Sequence, residues 1–302
     1  MEENGPDATR RKPGSATGRR RERDPGVETG TVRTNDVDTY YVRRGEGPPV
    51  VFVHGMFMNA RQWDPQLEAL GDEYTAIAYD VRGHGFTGGS DRKSYSMELY
   101  ASDLEALLAA LDVERPVLCG LSMGGCIAQA YAARYPENVA GLVLSDTFAT
   151  GQLSPTGRLV FANLRVFGLL DRFVRYTTLN RLQTWVGQRL SPGVAGDRAT
   201  TQRVMEAGPT IPHAEFVKIA RAMAEFPDSD FDLSQVTAPT LVTHGENLPA
   251  VFRDMHPKLA VQLANADVTV RAIPGAGHAS NIDNPAVFSK TVREFLTRVE
   301  RS

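Results

Sequence analysis

A chain of 302 residues with 42% apolar composition can bury a full core and carry an inserted subdomain on one large domain. Its formal charge of −3 is nearly balanced, so electrostatics gives no reason to expect nucleic acid or an anionic membrane as the main partner. No apolar run follows the N-terminal arginines to complete a secretory or twin-arginine signal, and no uninterrupted apolar stretch is long enough to span a membrane, which makes the cytoplasm the expected address.

Residues 1–30 differ from the rest. Arg10, Arg11, Lys12, Arg19, Arg20, Arg21 and Arg23 lie close together with almost no large apolar side chain. Such a segment cannot offset its ordering entropy by burial, so a disordered basic tail is expected. The interleaved Glu2, Glu3, Asp7, Glu22 and Asp24 dilute the charge and argue against a nucleic-acid-binding arm.

From Asp38 onward, short β-branched runs alternate with helical patterns. Residues 49–54 (PVVFVH) and 74–80 (YTAIAYD) have strand composition, and 64–70 suits a helix between them. Ser96 is placed to cap a helix whose apolar face is Leu99, Leu104, Leu107, Leu108 and Leu111. Strand 116–119, helix 123–135 and strand 139–145 follow. Strands 239–243 and 268–273 come near the C-terminus, each before a helix. This alternation predicts an α/β fold with a mostly parallel central sheet covered on both faces, and ligands collecting at the carboxyl ends of the strands. The core falls into two parts, 31–147 and 238–302. Between them, 148–237 has no convincing strand. Residues 159–174 carry apolar side chains at helical spacing, and Pro192, Pro209, Pro212 and Pro227 divide the interval. A helical cap over the strand ends is expected; the alternative is extra helices packed beside the sheet. Cys119 and Cys126, the only cysteines, read as small core residues, not a disulfide or metal site.

Gly120-Leu121-Ser122-Met123-Gly124 follows a predicted strand and opens a predicted helix. That context turns a common string into a sharp strand-to-helix elbow that presents Ser122 as a nucleophile. An oxyanion hole needs backbone N–H groups aimed at the developing charge. Met123, at the helix N-terminus, supplies one. The loop His54-Gly55-Met56-Phe57 after the first apolar strand supplies the other through Met56. His54 itself reads as a structural histidine.

Four segments now make the chain recognisable: VFVHGMFMNARQWDPQ at 51–66, YDVRGHGFTG at 79–88, GLSMGG at 120–125 and IPGAGHASNIDNP at 273–285. Together they resemble the α/β-hydrolase superfamily, in particular its small esterases, enol-lactonases, cofactor-free haloperoxidase-like perhydrolases and C–C-bond hydrolases. The resemblance runs from about Val32 to the C-terminus. It implies that His278, in the Gly-Ala-Gly-His loop after the last strand, is the general base for Ser122. It also implies that Asp80, Arg82, Gly83 and Gly85 form a scaffold turn, and that His84, His213, His244 and His256 are surface or structural residues. Members with Asp at the elbow, the haloalkane dehalogenases and epoxide hydrolases, do not fit Ser122.

The departure from the family pattern is the acid. The usual position holds Leu248, which cannot orient an imidazole. Asp146, ending the strand 139–145, is favoured as the replacement over Glu246 on the neighbouring loop. The expected activity is hydrolysis of a hydrophobic carboxylic ester, lactone or thioester through an acyl-serine, with no metal or organic cofactor. Perhydrolysis and C–C-bond cleavage by the same triad stay open as alternatives. So does a hydrolase-fold small-molecule receptor with little turnover. The sequence is silent on oligomeric state.

Overall fold

The computed structural model describes residues 26–151, 155, 157–158, 161–162, 198–253 and 255–301. Eight strands form one sheet: β1 (Val27–Thr34), β2 (Val37–Arg44), β3 (Pro49–Val53), β4 (Thr75–Tyr79), β5 (Val117–Leu121), β6 (Gly141–Ser145), β7 (Thr240–Gly245) and β8 (Val268–Ile273). Their spatial order is β1-β2-β4-β3-β5-β6-β7-β8. From β4 to β8 every neighbouring pair is parallel, while β1 and β2 pair antiparallel and β2 meets β4 antiparallel.

The central strands β3, β4, β5 and β6 are almost wholly buried, as expected of parallel strands covered on both faces. On one face α1 (Asp64–Leu70) packs with α9 (Pro285–Glu300), and Trp63, Leu67, Leu70, Phe288 and Phe295 fill the layer. On the other lie α2 (Met97–Ala110) and α3 (Met123–Arg134), with Tyr100, Leu104, Ile127 and Tyr131 inside. Ser96 caps α2 by accepting the Leu99 N–H.

Between β6 and β7 the described helices are α4 (Arg198–Glu206) and α5 (His213–Glu225). The buried stripe of α5, Phe216, Ile219, Ala220 and Met223, is spaced for one helical face, and Ile219 and Met223 pack into the core. Most of the expected helix 159–174 lies outside the described residues; Phe161, which falls within it, is helical and buried. After β7 come α6 (Ala250–Arg253) and α7 (Met255–Gln262), and after β8 comes α8 (Ser280–Asp283).

One boundary needs correction. Residues 27–30, assigned to the tail, are strand β1, which pairs with β2 from Val27↔Arg44 to Thr34↔Val37. Few large apolar side chains mark this stretch, yet it forms a strand, because main-chain bonds and β-branched residues hold it at the sheet edge. Residues 1–25 lie outside the described residues. Cys119 and Cys126 are buried free thiols. Among the described residues no helix is long and apolar enough to cross a membrane.

Candidate active site

β5 runs straight into α3, and the turn between them places Ser122 at φ 55°, ψ −116°. A non-glycine residue rarely occupies such a conformation, and the cost is on the order of 1–3 kcal/mol. The surroundings over-determine it. Ser122 N–H donates to Ser145 O at 2.9 Å, and its carbonyl accepts from Cys126 N at 3.2 Å and Thr147 Oγ1 at 2.7 Å. The flanking glycines are steric necessities: a Cβ on Gly120 would collide with Gly124 O, and one on Gly124 with Val53 O.

His278 arrives from the loop between β8 and α8. Its Nε2 lies 3.0 Å from Ser122 Oγ, the contact a general base needs. Phe148 and Phe252 flank the imidazole, with ring centroids 6.2 and 6.0 Å away. Burial lowers its pKa to about 4, so the ring is neutral and ready to accept a proton at neutral pH. Nδ1 makes no hydrogen bond with any described residue.

Asp146 follows β6 directly, in a left-handed conformation (φ 45°) that Asp tolerates better than most residues. Both oxygens of its carboxylate are engaged. Oδ1 accepts Gly245 N–H at 2.8 Å; Oδ2 accepts Ser145 Oγ at 3.0 Å, Ser280 Oγ at 2.5 Å and, more distantly, Ser280 N–H at 3.4 Å. It thus grips the histidine loop two residues beyond His278. Burial raises its pKa to about 7 against the opposing pull of those donors. Glu246 is exposed, and its Oε2 accepts the Gly275 N–H at 2.9 Å. Leu248 is buried in the loop after β7.

The loop that carries Met56 follows β3. Met123, the first residue of α3, has an N–H with no partner inside its helix. Met56 sits in a turn closed by Met58 N–H to Gly55 O at 3.1 Å. His54 is fully buried, and its Nε2 accepts the Val81 N–H at 2.9 Å, which puts the ring proton on Nδ1, facing Gly55 O at 2.8 Å. That is a structural histidine. His84 is buried beside it and His256 is buried against His244, with stacked rings 5.0 Å apart. The Arg82 guanidinium is buried and paired with Asp103 and Asp36, which fixes the turn after β4.

Sequence reasoning missed a buried amide network that ties these loops together. Gln62 Oε1 accepts the Gly55 N–H at 2.9 Å, and its Nε2 donates to Asn281 Oδ1 at 3.3 Å. Asn281 Nδ2 in turn donates to Gln62 O and to Gln66 Oε1. One polar seam thereby links the loop of Met56 to the loop of His278. The signal was present, since Gln62, Gln66 and Asn281 stand inside two of the recognised segments, but amides in a motif do not reveal their partners.

A serine at a strand-helix elbow, a histidine at 3.0 Å from its hydroxyl, and a parallel sheet beneath them define a hydrolase of the α/β type. Residues 48–285 match the model of the alpha/beta hydrolase fold, and the chain belongs to that family. It is 33% identical to a non-heme chloroperoxidase of Streptomyces lividans over 88% of this chain and 99% of that protein. A 3-oxoadipate enol-lactonase of Acinetobacter baylyi is 25% identical, with 89% and 96% covered. Among solved structures, a thermophilic esterase from Thermogutta terrifontis superposes with a TM-score of 0.73 at 28% identity, covering 90% of this chain and 99% of that one.

Proposed function

We propose that this protein is a serine hydrolase that cleaves a hydrophobic carboxylic ester, lactone or thioester through an acyl-Ser122 intermediate. The observation that carries the reading is the 3.0 Å contact between Ser122 Oγ and His278 Nε2 at the tip of the elbow. His278 takes the hydroxyl proton as Ser122 attacks the carbonyl carbon, then passes it to the leaving alcohol or thiol. The tetrahedral oxyanion is held by the N–H groups of Met56 and Met123. Water, deprotonated by His278, then attacks the acyl-serine and frees the acid.

Asp146 serves as the acid of the triad. Its hold on Ser280, two residues beyond His278, supports the role: a carboxylate behind the histidine loop, when ionised, favours the imidazolium formed during attack. A direct hydrogen bond to Nδ1–H would replace one of its serine contacts. The phenyl rings of Phe148 and Phe252 beside the imidazole favour an apolar acyl or alcohol group. The insertion at 148–237 acts as the cap that bounds it.

The test is turnover of a p-nitrophenyl ester panel together with labelling by a fluorophosphonate probe. Ser122→Ala is expected to lose labelling and turnover while staying folded, leaving at most ~10³–10⁴-fold acceleration over water. Saturable ligand binding by the wild type with no product released would make it a receptor instead. The 33% identity to a chloroperoxidase favours a second reading, perhydrolysis, in which hydrogen peroxide replaces water as acyl acceptor on the same serine. Acetate-dependent peracid formation measures it.

A further inference from the structure

The loop that carries Met56 breaks a local rule. In the turn Gly55–Met58, closed by Met58 N–H to Gly55 O, the third residue is Phe57 at φ 65°. That position favours glycine or asparagine, and a bulky aromatic there is an outlier that must be held from outside. The holding contact comes from a different part of the chain. The Phe57 ring stacks on Phe216 of α5, with centroids 4.7 Å apart and planes at 13°. His84 lies on the core side at 6.5 Å. Two residues on, Asn59 Nδ2 donates to Val204 O of α4 at 2.7 Å. The insertion between β6 and β7 therefore touches the oxyanion loop at two points.

We propose that Phe216 is a positioning residue for the oxyanion hole: through its stack on Phe57 it fixes the strained turn, and with it the direction of the Met56 N–H. The inference rests on the serine-hydrolase reading above and adds a control on the oxyanion by the insertion. A donor must point at where the oxygen becomes charged, and a shift of about 1 Å there can cost on the order of 10²-fold in rate. Phe216 is buried, so a ring contact of this kind is rigid on one side.

The experiment compares an ester with its thionoester analogue in wild type, Phe216→Ala, Phe216→Leu and Phe216→Tyr. Sulfur accepts hydrogen bonds weakly, so an intact oxyanion hole strongly prefers the oxygen ester, and the ratio of the two rates reads the donors directly. Phe216→Leu keeps an apolar side chain of similar bulk should the alanine variant fail to fold. We expect it to lower kcat for the ester by about tenfold to hundredfold, with KM moving less than threefold and the ester-to-thionoester ratio falling. Phe216→Tyr, which keeps the ring, restores the ratio. In a Phe57→Gly background, where positive φ no longer needs support, Phe216→Leu should change the ratio no further. A changed KM or acyl-length preference with a wild-type ratio would make Phe216 a pocket wall and overturn the inference. A wild type that is neither labelled at Ser122 nor active overturns the hydrolase reading itself, a different result from an active enzyme whose ratio ignores Phe216.

Discussion

Burial moves the two titrating groups of the site in opposite directions, lowering His278 to about 4 and raising Asp146 to about 7. His278 must be neutral to act as a base, and it is so above about pH 4. In the proposed triad Asp146 must be charged, which it is above about pH 7. Since both states are needed, kcat/KM is expected to fall as pH drops below the higher of the two, near 7, and the residual activity of Asp146→Asn should instead fall near 4. Asp146→Asn should also cut kcat by up to ~10⁴-fold, and Glu246→Gln far less, since Glu246 is exposed and engaged with Gly275. Near-normal turnover in Asp146→Asn with a collapse in Glu246→Gln would exchange their roles. The same shift has a sign for stability. Between 3.8 and about 7 native Asp146 keeps a proton that the unfolded chain has lost, so its contribution weakens as pH rises through that window. Ser122 and His278 were legible in the sequence because each sits in a short motif with fixed geometry. The acid has no such motif, because Leu248 stands where the family resemblance expects it, so the sequence favours Asp146 over Glu246 only as the carboxylate that closes a core strand.

At the scale of elements, the parallel strands could be read nearly to their ends, and the helices at Asp64–Leu70 and Met123–Arg134 within a residue. Continuous burial writes itself into composition as unbroken apolar runs. The antiparallel pair β1–β2 could not be read in this way. It lies at the sheet edge, half exposed, and Gly30, Arg33, Arg43 and Arg44 blur its alternation. Removing residues 1–25 should leave ester turnover and Tm nearly unchanged, because that stretch of sequence has almost no large apolar side chain with which to dock. Removing residues 1–30 should lower Tm by several degrees, because it strips the partners of Tyr41–Arg44 and the Tyr41 hydroxyl bond to Glu28. Equal melting curves for the two truncations would show that this edge contributes nothing.

Across the whole molecule, the insertion is anchored by a buried ionic knot as well as by the apolar face of α5. Glu215 accepts the Tyr95 hydroxyl and pairs with Lys218 at 2.5 Å, and Lys218 Nζ donates to Ser90 O at 2.7 Å while lying 4.7 Å from the Tyr95 ring centroid. Glu215→Ala would leave the ammonium without its carboxylate in a largely desolvated place, an effect of about 3–5 kcal/mol when a buried pair is broken on one side. The expected result is a lower urea midpoint in Glu215→Ala, recovered in part by adding Lys218→Met. An unchanged midpoint would mean that the apolar stripe alone docks the helix. None of this was visible in the sequence, where Tyr95 and Glu215 stand 120 positions apart (215 − 95) and carry no spacing signal. Phe167 and Trp185, two large apolar residues of the expected cap at 148–237, lie outside the described residues.

The contacts of α4 and α5 with the loop of Met56 bear on how the proposed enzyme can be retargeted. Strand-end loops holding the chemistry and an inserted segment holding the walls look like interchangeable modules, so that a graft from a relative would import a new specificity and leave the rate alone. Here the seam between the modules passes through Phe57–Phe216 and Asn59–Val204. A graft that matched the pocket but lacked an aromatic ring at the place of Phe216 would deliver the new substrate to a slack catalyst. The boundary for a successful chimera therefore falls on the far side of α5, which has to travel with the loop it braces.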